Sequence, residues 1–411
     1  MFDFKIAARM NDVNYEIRGP IFEEANRMAA QGIKVIKLNT GNPAPFGFEL
    51  PESVRRPLTE NVDKAVAYCD VKGMPDSRCA IYDYHTAKGV QGITAENIFI
   101  GNGVSEVASL AATVLFDSGD EILIPVPSYS MWTNLAVLAG AKPVLYMCDE
   151  KSDWYPDLDD IRRKITPKTR AMVVINPNNP TGAVYPREIV EGLVQIAREN
   201  NLILLADEIY DRLIMDGLVH HAVAVVGGDV PVVTLNGLSK SHIICGFRCG
   251  WMVVSGPDWF TGPTIDAIQK IAALRLCGNA LTQLVIPSAL ADTASTRAML
   301  EPGGRIYEQR CATFEALDSI GDISYVPNHA AFYLFPRIDA KKYNIVSDRQ
   351  FALDVLHAAR VLFVPGSGFD WPEPDHFRLV MLPTPEEITQ VVKDIAKFLE
   401  TYDQSAKEVV I

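Results

Sequence analysis

From about residue 97 to residue 255 the chain repeats one pattern: a short apolar run, a polar or glycine-containing turn, then a helical stretch. Asn97-Ile-Phe-Ile100 leads into Gly101-Asn-Gly103, Glu121-Ile-Leu-Ile124 ends at Pro125, and Ala171-Met-Val-Val-Ile175 ends at Asn176-Pro177. Leu202-Ile-Leu-Leu205 precedes Ala206-Asp207, Val232-Val-Thr-Leu235 precedes Asn236-Gly237, and Gly250-Trp-Met-Val-Val254 precedes Ser255-Gly256. Between two of these runs, from about Pro186 to Asn200, Ile189, Val190, Leu193, Val194 and Ile196-Ala197 recur at helical spacing. This alternation is the signature of βαβ units on a parallel sheet. After Pro302-Gly303-Gly304 the texture changes to a helix from about Arg305 to Ile320, strands at Ile323–Val326 and Ala331–Phe335, and a final helix near Glu386–Tyr402. That is a smaller α+β unit. Residues 1–45 lack the strand–helix rhythm and read as an arm that joins it. The expected organisation is α/β, with a large domain over 49–300 and a second unit made of 1–48 and 301–411. No internal repeat or low-complexity segment is present.

A length of 411 residues accommodates two or three domains, or one large domain with a satellite. The 38 Lys plus Arg against 51 Asp plus Glu give a net charge of −13, which works against nucleic acid and anionic membranes as partners. A small-molecule ligand is the better expectation. No stretch reaches the ~18–20 apolar residues of a membrane span, and Met1-Phe-Asp-Phe-Lys-Ile6 lacks the basic head and apolar run of a leader, so the expected location is the cytoplasm. The seven cysteines are odd in number and form no Cys-x-x-Cys pair, which fits a reducing compartment rather than a disulfide framework or zinc ribbon.

In an open parallel sheet, ligands bind beyond the carboxyl ends of the strands. The polar residues there form an ordered series: Gly101-Asn-Gly-Val-Ser-Glu106, Asn176-Pro-Asn-Asn-Pro-Thr-Gly182, Asp207-Glu-Ile-Tyr210, and Ser239-Lys240 with Gly246-Phe-Arg248. Gly101-x-Gly103 is no dinucleotide fingerprint, because Glu106 places bulk and negative charge where a pyrophosphate must approach. A single phosphate monoester fits better, held by the N–H groups of Gly103, Val104 and Ser105 and by the Ser105 hydroxyl at a helix start. The same residues also suit an ordinary turn with Ser105 as N-cap. Asp207 either caps a following helix or meets a positive group of a ligand, with Tyr210 one helical turn on. Lys240 is either a surface lysine or, if desolvated in the strand-end cleft, a nucleophile for a carbonyl. His220-His221 lacks a third nearby ligand and reads as a surface pair, so no metal site is expected. Cys245 and Cys249 flank Gly246-Phe-Arg248 and read as packing residues.

Taken in order, Asn179-Pro-Thr-Gly182, Asp207-x-x-Tyr210, Ser239-Lys240 and Gly246-Phe-Arg248 resemble the fold-type-I, pyridoxal-5′-phosphate-dependent class I/II aminotransferases, over nearly the whole chain. Within them, the chain is most similar to the bacterial glutamate–pyruvate (alanine) aminotransferases. The residues that carry this are Tyr15-Glu-Ile-Arg-Gly-Pro20, Leu38-Asn-Thr-Gly-Asn-Pro-Ala-Pro-Phe-Gly-Phe48, Ile175-Asn-Pro-Asn-Asn-Pro-Thr-Gly-Ala-Val-Tyr185 and Pro374-Asp-His-Phe-Arg378.

The resemblance implies a mostly parallel central sheet in a large domain with a smaller α+β domain, pyridoxal 5′-phosphate as cofactor, and a homodimer with shared active sites. The implied reaction is ping-pong transfer of an amino group between an L-amino acid, alanine or glutamate, and a 2-oxo acid, pyruvate or 2-oxoglutarate. Lys240 would bind the cofactor covalently and move the substrate proton as base and acid. Asp207 would pair with the ring nitrogen, Asn179 and Tyr210 with the ring's phenolic oxygen, and Tyr129 would stack on the ring. Gly103, Val104, Ser105, Ser239 and Arg248 would hold the phosphate, joined by Tyr68 of a neighbouring subunit. Arg378 would clamp the substrate α-carboxylate bidentately, Gly41 would approach it through backbone, and Asn179 would also border the substrate. Tyr15 and Arg18 are candidates for a second carboxylate. The chain departs from the close relatives at His242-Ile243, where Tyr-Arg is usual, at Ala330 in the Gly-Ala-x-Tyr segment, and at Gly237, where Ser or Thr is common. The alternatives are a β-lyase, synthase or decarboxylase on the same residues and an aminotransferase of a specialised pathway. A non-catalytic pyridoxal-binding regulator is disfavoured by the acidity and by the few residues before Asn39-Thr-Gly-Asn42.

Overall fold

The computed structural model describes residues 5–406. Residues 1–4, the head of the opening stretch tested for a leader, and 407–411, the end of the C-terminal unit, lie outside the described residues. Eight strands form the central sheet: β1 Ile98–Asn102, β2 Glu121–Val126, β3 Lys142–Asp149, β4 Tyr155–Pro156, β5 Thr169–Ile175, β6 Ile203–Asp207, β7 Val232–Gly237 and β8 Cys249–Ser255. Their spatial order is β1-β8-β7-β6-β5-β2-β3-β4. The pairs β7–β6, β6–β5, β5–β2 and β2–β3 are parallel. Strand β8 runs antiparallel to both β1 and β7, and β4 antiparallel to β3.

The apolar runs are continuous because both sheet faces are covered. Ala171, Val173 and Ile175 of β5 and Ile203 and Leu205 of β6 enter one core, while Met172, Val174, Leu204 and Ala206 enter another on the opposite face. A period of two then leaves no polar position. Helix α1 Pro20–Ala30 lies in the arm, while α2 Pro75–Ala87, α3 Val104–Leu115, α4 Arg187–Asn200 and α5 Asp258–Ala273 belong to this half of the chain. Among them, α3 packs on α5 and α2 on β1.

A third core joins α1 to α6 Arg305–Asp318, α7 Asp348–Ala359 and α8 Pro385–Leu399, and to the three-stranded sheet β9-β11-β10, made of Tyr333–Leu334, Phe377–Val380 and Val364–Pro365. Residues Ile36–Lys37 of the arm pair in parallel with Val361–Leu362.

Several expected elements shift. Strand β2 runs through Pro125 to Val126, α6 stops at Asp318, and the runs at 323–326 and 331–335 contract to Ile323–Ser324 and Tyr333–Leu334. Strand β3 lies outside the expected strands although Pro143 to Cys148 is an apolar run; it sits one strand from the sheet edge, with Pro143, Val144 and Leu145 half-buried. Among the described residues no helix is long and apolar enough to cross a membrane.

Candidate active site

The carboxyl ends of β5, β6 and β7 and the start of α3 wall a cavity of about 610 Å³, within the usual range for small-molecule sites. Residues of the arm, Ile17, Arg18 and Thr40 to Asn42, and of the C-terminal unit, Tyr333 and Arg378, close its far side. Asp207, the last residue of β6, is 5% exposed. Its Oδ2 accepts from Trp132 Nε1 at 3.2 Å and its Oδ1 from the Ile209 N–H at 3.4 Å. Burial pushes the carboxyl up to about 6, against the pull of the Trp132 and Ile209 donors and the Lys240 charge. A buried carboxyl that receives only neutral donors is a socket for a cation. No helix follows Asp207; the chain turns, and the turn rather than a helical face brings Tyr210 to the cavity.

Lys240 rides on the short helical segment Leu238–Ser241 after β7, and its Nζ donates to the Gly41 carbonyl at 3.0 Å. Asn179 Nδ2 donates to the Tyr210 hydroxyl at 3.4 Å, and that hydroxyl donates to Tyr333 at 3.3 Å. Arg378, buried in β11, donates through one terminal nitrogen to Asn179 Oδ1 at 2.9 Å and through the other to the Asn39 carbonyl. Its Nε is buried without a hydrogen-bond partner, and its guanidinium lies 4.6 Å from the Tyr333 ring centre. Burial raises the Tyr333 phenol, but Lys240 and Arg378 together bring it below its ordinary value, while burial and Tyr333 hold Tyr210 well above.

At the start of α3, Gly103 is the N-cap with φ +88°, and a Cβ there would collide with the Arg248 guanidinium. The expectation of three free N–H groups is corrected to two, since Gly103 N donates to the Gly101 carbonyl at 2.8 Å. Val104 and Ser105 open the helix, where N–H groups have no intrahelical acceptor. Ser105 is therefore not the N-cap. Ser239 and the Arg248 side chain, anchored to the Cys245 carbonyl at 3.0 Å, complete this corner. Glu106 is committed elsewhere, accepting from Asn102 N at 2.7 Å and lying 3.4 Å from Arg275.

The cavity wall thus contains Gly41, Val104, Ser105, Tyr129, Asn179, Asp207, Tyr210, Ser239, Lys240, Arg248, Arg378 and Arg18. Tyr15 and Tyr68 are not in it. Tyr15 is 61% exposed, and Tyr68, 79% exposed, borders a separate depression with Asn102, Cys277 and Asn279. Cys245 lines the cavity, whereas Cys249 is buried in β8, where burial pushes its thiol up to about 12. His242 points away, bonded to Ser241 Oγ and the Ala289 carbonyl. Gly237 pairs with Gly250 across β7 and β8, where a Cβ would meet Gly250 Cα at 2.9 Å, and Ala330 is fully buried.

A further expectation is overturned. His220 is not a surface histidine: its side chain is 7% exposed, and its ligand atom groups with those of Glu208 and Asp211. Its burial arises from chain segments distant in sequence, which no local pattern announces. Tyr333 and Trp132 were also missed as site residues; the Gly-Ala-x-Tyr comparison touched Tyr333 without giving it a role.

Residues 33–395 match the aminotransferase class I and II family, and the chain belongs to it: this is an enzyme that transfers amino groups, on the aminotransferase fold expected. The glutamate–pyruvate aminotransferase AlaA of Escherichia coli K12 is 46% identical over 398 residues, spanning 97% of this chain and 98% of that protein. An alanine aminotransferase of Mycobacterium bovis is 42% identical over 402 residues, 98% of this chain and 94% of its own. The crystal structure of an aminotransferase from Escherichia coli superposes with a TM-score of 0.96 at 46% identity, covering 98% of this chain and 100% of that one. An alanine aminotransferase from Pyrococcus furiosus gives 0.88 at 36% identity, covering 96% and 100%.

Proposed function

We propose that this aminotransferase exchanges an amino group between alanine or glutamate and pyruvate or 2-oxoglutarate, with pyridoxal 5′-phosphate as cofactor. The observation that carries the reading is the convergence of Lys240, Asp207, Asn179, Tyr210 and Arg378 on one cavity. The names of the alanine and glutamate–pyruvate aminotransferases at 42–46% identity support the substrate choice.

The residues suit the cofactor. Asp207 is a buried carboxyl in need of a cation, and a protonated ring nitrogen supplies one. The N–H groups of Val104 and Ser105, Ser239 and Arg248, with Gly103 leaving room for that arginine, suit a phosphate monoester. Asn179 and Tyr210 offer donors for a phenolic oxygen, and Tyr129 offers a face for the ring. When bound, the cofactor supplies an electron sink for the pair left at the amino acid Cα.

The chain does the rest. Lys240 would hold the cofactor through its amine and, once the substrate amino group displaces that amine, would move the Cα proton as base and acid. Arg378 holds the α-carboxylate with its two terminal nitrogens, which fixes the Cα–H direction, and the Gly41 backbone borders the same carboxylate. Arg18 lines the cavity from the arm, with Tyr15 three residues before it, and suits a second carboxylate. Tyr68 is exposed on its own chain and suits delivery to the phosphate of a second copy, in a homodimer located in the cytoplasm. On this reading residues 49–300 are the cofactor domain, and 1–48 with 301–411, described over 5–48 and 301–406, the smaller one.

The test loads the purified protein with pyridoxal phosphate and adds single amino acids without any 2-oxo acid. Loss of the visible band with L-alanine and L-glutamate, with a new near-ultraviolet band and one equivalent of 2-oxo acid, is expected. Release of ammonia, thiol or carbon dioxide with the visible band intact would move the assignment to a lyase or decarboxylase.

A further inference from the structure

Behind the cavity, facing away from it, lies a buried ionic cluster with no part in the steps above. Lys88, the residue that ends α2, contacts Asp211 directly, and its Nζ lies 3.8 Å from Glu208 Oε2 and 4.5 Å from the Tyr84 ring centre. The two carboxylates are 1% exposed and the lysine side chain 20%. Asp211 Oδ2 also accepts from Tyr84 Oη at 2.7 Å and from Asn236 Nδ2 at 2.7 Å. Glu208 Oε1 accepts from the Val223 N–H at 3.0 Å, and His220 Nε2 lies 3.1 Å from the Asn176 carbonyl and 4.0 Å from Glu208 Oε1. Ligand atoms of Glu208, Asp211 and His220 fall within 4.8 Å of one another, but the lysine ammonium already meets both carboxylates, so the chain supplies its own cation.

The cluster touches all three strand-end segments that carry the site. Asn176 opens the segment that delivers Asn179. Glu208 and Asp211 alternate with Asp207 and Tyr210, so the turn presents one pair to the cavity and the other to Lys88. Asn236 directly precedes the Gly237–Lys240 step. The ammonium therefore contacts, from behind, the two residues that alternate with Asp207 and Tyr210 along the turn.

We propose that Lys88 is a positioning residue for the transamination site: by drawing Glu208 and Asp211 to the back of the turn, it sets where Asp207 and Tyr210 stand relative to Lys240. This rests on the pyridoxal phosphate assignment made above. A lysine serving only as a counter-ion would matter for stability alone; a positioning lysine also matters for cofactor affinity and spectrum.

The experiment compares wild type, Lys88→Met and the charge-balanced Lys88→Met/Asp211→Asn, measuring the thermal midpoint without cofactor, the pyridoxal phosphate dissociation constant, and the pH midpoint of the visible band. Lys88→Met is expected to raise the dissociation constant about tenfold or more and to move the pH midpoint by ~0.5 pH unit or more. The double variant, which restores the net charge of the cluster but leaves Glu208 without its cation, is expected to regain part of the thermal midpoint lost in Lys88→Met while its dissociation constant stays raised. It carries the comparison alone if Lys88→Met does not fold. Wild-type affinity and band position in Lys88→Met, or joint recovery of stability and affinity in the double variant, would overturn the proposal. A wild-type protein that develops no visible band would overturn the cofactor assignment and this inference together; a normal wild-type band with an unaffected Lys88→Met removes only the inference.

Discussion

Replacing Asp207 by asparagine should make the cofactor-free protein more stable, although it removes a residue the reaction needs. Burial lifts this carboxyl from its ordinary 3.8 to about 6. The folded protein then binds more protons than the unfolded chain between those values, so stability falls as pH rises through that window. At ~1.4 kcal/mol per pH unit the full cost above pH 6 is ~3 kcal/mol. Asparagine keeps the shape without the charge but offers only one oxygen. One of the two donors, Trp132 Nε1 or the Ile209 N–H, loses its acceptor, at ~1 kcal/mol. The net expectation is ~2 kcal/mol in favour of the variant at pH 8, shrinking to ~0.5 kcal/mol by pH 5 as the wild-type carboxyl takes up its proton. Urea unfolding of cofactor-free wild type and Asp207→Asn at both pH values measures the difference, in which other titrating groups cancel. With saturating pyridoxal phosphate the order should reverse, because only the carboxylate gains from a cationic ring nitrogen. A variant less stable than wild type at pH 8 without cofactor would refute the claim that Asp207 waits in the fold as an uncompensated charge.

Arg378→Lys replaces a planar fork, already bonded to Asn179 and Asn39, by a point charge, and should raise the amino acid KM ~10–100-fold with a smaller change in kcat, read from initial rates. Gly41→Ala places a Cβ against the Tyr333 hydroxyl and 2.7 Å from Phe332 Cε2, so kcat/KM should fall by the equivalent of ~1–3 kcal/mol while the variant still folds, as circular dichroism would show. His376, beside Asp375 at 2.7 Å and Glu150 at 3.5 Å, has its imidazole raised above its ordinary value because those carboxylates outweigh burial. Its contribution to stability is complete below 6.5 and is lost as pH rises through the raised value, so His376→Gln should cost more at pH 6 than at pH 9 in urea unfolding.

How much of this was legible in the sequence follows from where the physics acts. Strands β5, β6 and β7 are buried on both faces, so burial writes a continuous apolar run into local sequence, and the residues just past each run are the ones at the cavity. Tyr210 reaches the cavity wall from a turn and not from the expected helix, since a turn and a helical turn bring the third residue on to similar places.

The sequence by itself determined the strand-end positions of Asn179, Asp207 and Lys240, because the parallel strands β5, β6 and β7 send their carboxyl ends to one edge, whereas Arg248 reaches that edge from the start of β8, which runs antiparallel to β7. Only the tertiary structure decided that Tyr333 and Arg378, from a unit far along the chain, stand over Lys240, and that Tyr15 and Tyr68 do not line their own chain's cavity. It also decided that His220 is enclosed and that Lys88 meets two buried carboxylates. Periodicity records which side of its own strand or helix a residue occupies. What packs against that side depends on how remote elements dock, and a side chain's charge state depends on that docking too.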